Sequence, residues 1–286
     1  MAFWIGILRA VEFSPNSNDL NIMKKVAEKL QVANQKVSMI SERDFIEGEI
    51  TGDAYFSMAR SESALRLLDE KERQGAAVFN SANGVRNCSR PVITNLMMQN
   101  QIPVPQSVIL NLADSERDLP PLKYPCWLKR GDSCAQQKAD VSFVQNEKEY
   151  GEAVEDFKKR RIFSAVLCEH LAGDVVKFYG VAETPFFYWY YPTLDGGHSK
   201  FGLEKINGRA QQFCFDVRAL KKIADQVAYI ADTPVYGGDC IVDASGNFKI
   251  IDFNDWPSFS SCVDEAAEAI SSFLLKHYSD NGNNKK

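Results

Sequence analysis

The chain has 286 residues, room for two domains of about 150 residues or one large composite unit. Hydrophobic residues are 45% and charged residues 25%, ordinary globular usage that excludes a fibrous or wholly disordered chain. Lys+Arg 33 against Asp+Glu 38 leaves a net charge of −5, so a protein built to grip nucleic-acid phosphate is not expected.

Residues 3–8 are apolar, with no basic run before them and no small-residue cleavage site after them. They predict a buried first strand rather than a signal peptide. Residues 16–19 read as a loop with a helix N-cap, and Leu20, Met23, Val26, Ala27 and Leu30 carry helical spacing. Strands follow at 36–40 and 54–57, then a helix at 62–74 closed by Gly75, then a strand at 76–79. Strands separated by helices imply a parallel sheet covered by helices. Ligands of such sheets bind at the carboxyl ends of the strands. Arg60 and residues Asn16, Ser17 and Asn18 fall near such ends; they are substrate-site candidates, with solvated loop positions as the alternative.

The pattern changes near residue 100. A short helix is expected at 91–99, and Gln101-Ile102-Pro103-Val104-Pro105 leads into a strand at 107–110. Residues 114–121 form a loop. Strands follow at 126–129 and 141–144, a charged helix at 147–159, and strands at 165–171, 175–181 and 186–191. The aromatic run from Phe186 to Tyr191 reads as a core or interface strand rather than a base-stacking surface, because no Lys or Arg accompanies it. A helix at 216–230, a hairpin of 236–242 with 248–253, and a last helix at 263–276 complete the chain. The polar tail, 279–286, is expected to fray. The expected fold is an α/β N-terminal parallel-sheet domain followed by an α+β unit with antiparallel sheets.

Seven cysteines, none in Cys-x-x-Cys, fit reduced thiols in a cytoplasmic protein. Three widely separated histidines argue against zinc. No run reaches the roughly 18 apolar residues of a membrane span, so no membrane partner is expected.

The sharpest chemistry lies between Gly238 and Asn254. Ala244-Ser245-Gly246-Asn247 is turn chemistry between two β runs. With a two- or four-residue loop, Asp243 faces Phe248, Ile241 faces Ile250, and Asp239 faces Asp252. Asn254 then shares the face of Asp252. Opposed carboxylates destabilise a sheet, and a divalent cation removes that cost. Asp239, Asp252 and the Asn254 carbonyl are hard oxygen ligands suited to Mg²⁺. The alternatives are acids pointing to solvent at the strand ends, or a three-residue loop with a bulge that shifts the register.

Here the sequence resembles the ATP-grasp superfamily. Gly237-Gly238-Asp239 and Ile251-Asp252-Phe253-Asn254-Asp255-Trp256-Pro257 resemble its metal-binding end, with Asp252 where many members carry Glu. Upstream, in order, Asn80-Ser81, Arg90 and the segment 101–105 resemble the family's Asn…Lys…Gly-Ile-Pro-x-Pro run. Pro125 to Lys129 resembles the strand whose Lys reaches nucleotide phosphates, 166–173 the adenine hinge, and 175–181 the next strand, with a basic residue at Lys177. The resemblance covers residues 80–270. It implies a pre-ATP-grasp α/β domain at 1–100 and an ATP-grasp domain at 101–286, divided into a central subdomain at about 101–165 and a C-terminal one at about 166–286.

The resemblance further implies an ATP-dependent ligase of the carboxylate–amine type, akin to glutathione synthetase and ribosomal-protein-modifying ligases. It would activate a carboxylate as an acyl phosphate for attack by an amine, releasing ADP and phosphate. ATP and Mg²⁺ are the implied cofactors. Arg90, Lys129 and Lys177 would meet the phosphates. Leu171 and the backbone around Glu169 would hold adenine, and Asp174 or Val175 would stand at the ribose position. Ser133 sits in a loop with one glycine, where the family is glycine-rich. Lys205 and Arg209 would stabilise the transferring group or hold the acceptor, with a plain charged loop as the alternative. Partners would be small-molecule or peptide carboxylates and amines, with a homodimer left open. A small-molecule kinase, or a nucleotide- or peptide-binding module with weak turnover, are the competing functions.

Overall fold

The computed structural model describes residues 1–13, 18–113, 123–132, 137–194 and 202–283. Its first layer runs β1 (Phe3–Leu8), α1 (Asn18–Val32), β2 (Lys36–Ser41), α2 (Glu42–Glu47), β3 (Ala54–Ser57), α3 (Glu62–Arg73), β4 (Ala77–Phe79), α4 (Ala82–Asn87) and α5 (Arg90–Gln99). The strands form a parallel sheet in the order β2-β1-β3-β4. Alternation along β1 sends Trp4 and Leu8 to one face and Ile5 and Ile7 to the other. The helices α2 and α4, six residues each, were not legible in the sequence. Ser41 and Ser81 cap them by accepting from the Asp44 and Gly84 amides.

The second layer is the antiparallel sheet β5-β8-β6-β7. It is built from β5 (Ser107–Asn111), β6 (Cys126–Arg130), β7 (Val141–Val144) and β8 (Ser164–Glu169), with α6 (Glu147–Lys159) between β7 and β8. One face buries Leu128, Val144, Ala165 and Leu167 against Phe157 of α6. The expected subdomain division at 165–166 falls inside β8. Its buried run through Glu169 pairs with both β5 and β6, so the passage to the next layer comes after Glu169.

The third layer is β10-β9-β11-β12, with β9 (Asp174–Val181), β10 (Phe187–Tyr190), α7 (Val217–Ala231), β11 (Val235–Val242) and β12 (Phe248–Asp255). Val176, Phe178, Tyr236, Cys240, Ile250 and Phe253 pack one face against α5 and α7. The last helix, α8 (Val263–Asn283), turns back across the molecule. It lies beside α1, and Ile270, Phe273 and Leu274 join Trp4, Phe56 and Phe79 in one core. The helix therefore extends past the expected end at residue 276 into the expected frayed tail, and it completes the first layer rather than the third. Among the described residues, no helix is long and apolar enough to cross a membrane, and the six cysteines are free thiols.

Candidate active site

A cleft of about 650 Å³ opens between the second and third sheets and continues to the carboxyl ends of β1 and β3. Its floor is the exposed face of the third sheet. Period-2 alternation and strand register stack that face in rungs. Val175 pairs with Ile241, which pairs with Lys249. Lys177 pairs with Asp239, which pairs with Asp252. Tyr179 pairs with Gly237, which pairs with Asn254. The rungs are roughly 7 Å apart, so an apolar end, a charged middle and a polar far end follow in order.

Asp239 does face Asp252, but the route there differs from the expected one. The turn closes with the Asp243 amide donating to the Asn247 carbonyl at 2.9 Å, and Gly246 adopts φ +82°. This is a three-residue loop with its glycine in the left-handed region. It moves the register, so Val242 faces Phe248 and Ile241 faces Lys249, not Asp243 with Phe248 or Ile241 with Ile250. A bulge beside Asp239 and Cys240 then inserts Ile251 and restores the 239–252 pair. The bulge turns the Ile251 carbonyl out of the ladder, where Lys129 Nζ donates to it at 3.0 Å.

Lys177 Nζ donates to both Asp239 oxygens at 3.0 Å and lies 3.2 Å from Glu204 Oε1. Burial works against its charge, but the two acids outweigh burial and raise its pKa. Asp239 is itself pushed up, first by burial and then by the neighbouring Asp252 and Glu204; Asp239 and Glu204 share one lysine. Asp252 goes the other way. Burial opposes its ionisation, but Arg90, Lys129 and a hydrogen bond from Asn254 hold it below the ordinary range. Arg90 Nη2 stands 3.9 Å from Asp252, while Nη1 donates to the Arg130 carbonyl at 2.5 Å.

Across the cleft, β6 repeats the sequence of environments. Trp127 and Lys129 share one face two residues apart. The Trp127 indole N–H donates to His170 Nδ1 at 3.2 Å, and Phe143 packs against both rings. Burial lowers the His170 pKa. Leu171 also lines this apolar end. Glu169 anchors the hinge, accepting from the Gln106 amide and from Lys249 at 2.9 Å each.

Other expected positions fall elsewhere. Asp174 is buried, its carboxylate accepting from the Gln211 and Phe213 amides, and it does not line the cleft. Lys205 and Arg209 are exposed and also lie off the lining. The 3-10 turn Leu203–Asn207 aims Glu204 and Asn207 inward instead. Asn207 Nδ2 donates to the Leu171 and Gly173 carbonyls at 2.8 and 3.1 Å, bracing the hinge. Ser133, Asn16 and Ser17 lie outside the described residues, as does the side chain of Asn18. Arg60 does line the cleft. Sequence reasoning missed Trp127, His170, Tyr179, Glu204 and Asn207. For Trp127 the signal was present, since it stands two residues before Lys129 on a strand.

Among the described residues no cluster of three His, Cys, Asp or Glu side chains marks a metal site. The donor set is two carboxylates on one rung with Asn254 beside them, all hard oxygen ligands. The raised Asp239 pKa means that added positive charge would relieve this rung. These residues fit Mg²⁺.

Comparison with solved structures adds the topology. A RimK domain ATP-grasp protein from Sphaerobacter thermophilus superimposes with a TM-score of 0.65 at 14% identity, covering 95% of this chain and 99% of that one. The chain has the ATP-grasp fold. A D-alanine–D-alanine ligase from Bacillus anthracis, complexed with ATP, matches with TM-score 0.65 at 12% identity, covering 98% and 99%. The ATP-grasp ligase PsnB, complexed with a precursor peptide and AMPPNP, matches with TM-score 0.60 at 15% identity, covering 94% and 96%. No protein-family model and no curated protein matches the sequence. The likeness is one of fold.

Proposed function

We propose that this protein is an ATP-dependent ligase that activates a carboxylate as an acyl phosphate for attack by an amine, releasing ADP and phosphate. The observation that carries this reading is the order of the rungs. An apolar slot walled by Trp127, Leu171, Val175 and Ile241 gives way to Lys177, Asp239 and Asp252 with Lys129 and Arg90 opposite, and the cleft then runs on into the first layer. A nucleotide laid along it puts its base in the slot and its phosphates on the charged rung.

Lys129, Lys177 and Arg90 balance phosphate charge, Arg90 with a planar fork. Asp239, Asp252 and Asn254 would hold Mg²⁺, which supplies positive charge to the phosphate oxygens of the transferred group. Lys205 and Arg209 take no part in this scheme; Glu204 orients Lys177 instead. The solved neighbours include a ligase bound to a precursor peptide, so small-molecule and peptide carboxylates both belong in the substrate panel.

The test is to incubate the protein with Mg-ATP and a matrix of carboxylates and amines. ADP release dependent on both substrates supports the ligase. A stable phosphorylated acceptor formed without an amine would make it a kinase, and product formed without ADP would contradict both. The kinase reading has less support, because Arg86 at the acceptor end is already bonded to Glu62 and Asp69, and Arg60 to Asp255. A second reading, a nucleotide-binding module with little turnover, rests on Lys129 and Lys177 being held by protein groups. Calorimetric ATP binding with no ADP from any substrate pair would favour it.

A further inference from the structure

Beyond the charged rung, β12 ends in a turn that the first layer holds by several independent contacts. Asn254 is followed by Asp255, whose side chain is fully buried, and by Trp256, also fully buried. Trp256 has φ +29°, a conformation costly for a bulky residue and retained only where surroundings over-determine it. Three contacts do so here. The Trp256 indole stacks on Phe56 of β3, with centroids 6.3 Å apart. Arg9, just past β1, donates from Nη2 to the Trp256 carbonyl at 3.0 Å. Arg60, just past β3, places Nη2 2.6 Å from Asp255 Oδ1.

The two arginines are themselves set by one buried acid. Glu42, at the start of α2, is 2% exposed. Its carboxylate accepts from the Ala10 amide at 3.0 Å, the Arg60 amide at 3.2 Å and the Ser61 amide at 2.7 Å. One side chain thus ties together the loops after β1 and β3, which carry Arg9 and Arg60. The chain of contacts runs from Glu42 through these loops to Asp255, the direct neighbour of Asn254.

We propose that the pair of half-buried Arg60 and buried Asp255, set by Glu42, is a positioning device of the first layer that fixes Asn254 for the metal-bound nucleotide. The inference rests on the assignment of Asp239, Asp252 and Asn254 above. Arg60 acts through Asp255 and the backbone, not by touching the nucleotide. Groups that orient a metal ligand are worth about 10–100-fold in metal affinity. A buried ion pair can be replaced by apolar residues of similar volume without loss of stability, whereas deleting one partner leaves an uncompensated charge. Stability and positioning can therefore be separated.

The test uses the full chain carrying Arg60→Met with Asp255→Leu, and separately Arg60→Lys, which keeps the charge but not the planar fork. ATP is titrated calorimetrically, once in excess EDTA and once with Mg²⁺, and thermal unfolding is followed in parallel. The expected result is a double variant that unfolds like wild type and binds metal-free ATP as wild type does. The gain in ATP affinity conferred by Mg²⁺ falls by about 10–100-fold, and Arg60→Lys falls in between. A folded double variant with the full Mg²⁺ gain overturns the proposal, as does equal loss of both affinities. Should the double variant not fold, Arg60→Lys decides by the same comparison. A wild-type protein that binds no ATP under either condition removes the functional reading and this inference with it; binding that is indifferent to the pair removes the inference alone.

Discussion

Asp239 and Asp252 share a rung yet stand in opposite electrostatic settings. Asp252 is attracted by Arg90 and Lys129, while Asp239 shares Lys177 with Glu204 and is repelled by Asp252. Asp252→Ala and Asp239→Ala are each expected to cost at least about a hundredfold in Mg-ATP turnover, since a ligand matters no less than the groups that orient it. Their stabilities in EDTA should differ. Asp252→Ala strands two cations and lowers the unfolding midpoint, whereas Asp239→Ala relieves repulsion and lowers it less. The reverse order by thermal denaturation would contradict the charge assignment. At the hairpin tip, Asp243 accepts from Asn247 and the Ser245 amide, which hold its pKa below the usual 3.8. A lowered folded-state value means stability that is present above the unfolded value and lost as pH falls through the folded one. The midpoint difference between wild type and Asp243→Ala should therefore shrink as pH falls below about 5. A difference that holds constant as pH falls would show that the turn does not depend on the charged acid.

Most strands and helices were legible because burial imposes a period. The assumed hairpin register set Asp239 opposite Asp252, while Lys177 was pointed to only by the family resemblance; its place beside Asp239 comes from the β9–β11 pairing. What failed was whatever depends on a local irregularity or a distant partner. The Ile251 bulge leaves no mark in composition, and two register errors cancelled at the acid pair. The family resemblance pointed to Asp174 and Lys205, but a backbone amide pair claimed the first, and the three-residue period of a short turn sent the second outward while Glu204 and Asn207 turned in. Asn80 shows the same dependence on a distant partner. Its side-chain amide copies a strand pairing, donating to the Val235 carbonyl at 2.8 Å and accepting from the Val235 amide at 3.0 Å. Asn80→Ala orphans both groups in a buried joint between the first and third layers, at about 1–3 kcal/mol for each. Denaturant unfolding reads this directly; a loss below the cost of one orphaned group would mean the joint is solvated.

At the scale of the molecule, the chain's two ends make one layer. Phe273 of α8 packs edge-on against Phe79 of β4, with centroids 5.9 Å apart, and Tyr278 lies 5.4 Å from Trp4. Phe273→Ala, nearly two hundred residues from β4 in sequence, is expected to cost about 3–5 kcal/mol. In hydrogen exchange it should loosen β1 and β4 more than the central sheet, whereas protection lost only in the third layer would count against the shared core. The first layer thus walls one end of the cleft, and the other end lies between two facing sheets. The measurement that bears most directly on the account is a crystal structure with a non-hydrolysable ATP analogue and Mg²⁺. The account predicts the base between Trp127 and Ile241, the phosphates between Lys129 and Lys177, and one or more Mg²⁺ ions held by Asp239, Asp252 and Asn254. A nucleotide bound elsewhere, or metal-free with those three side chains turned away from its phosphates, would contradict it.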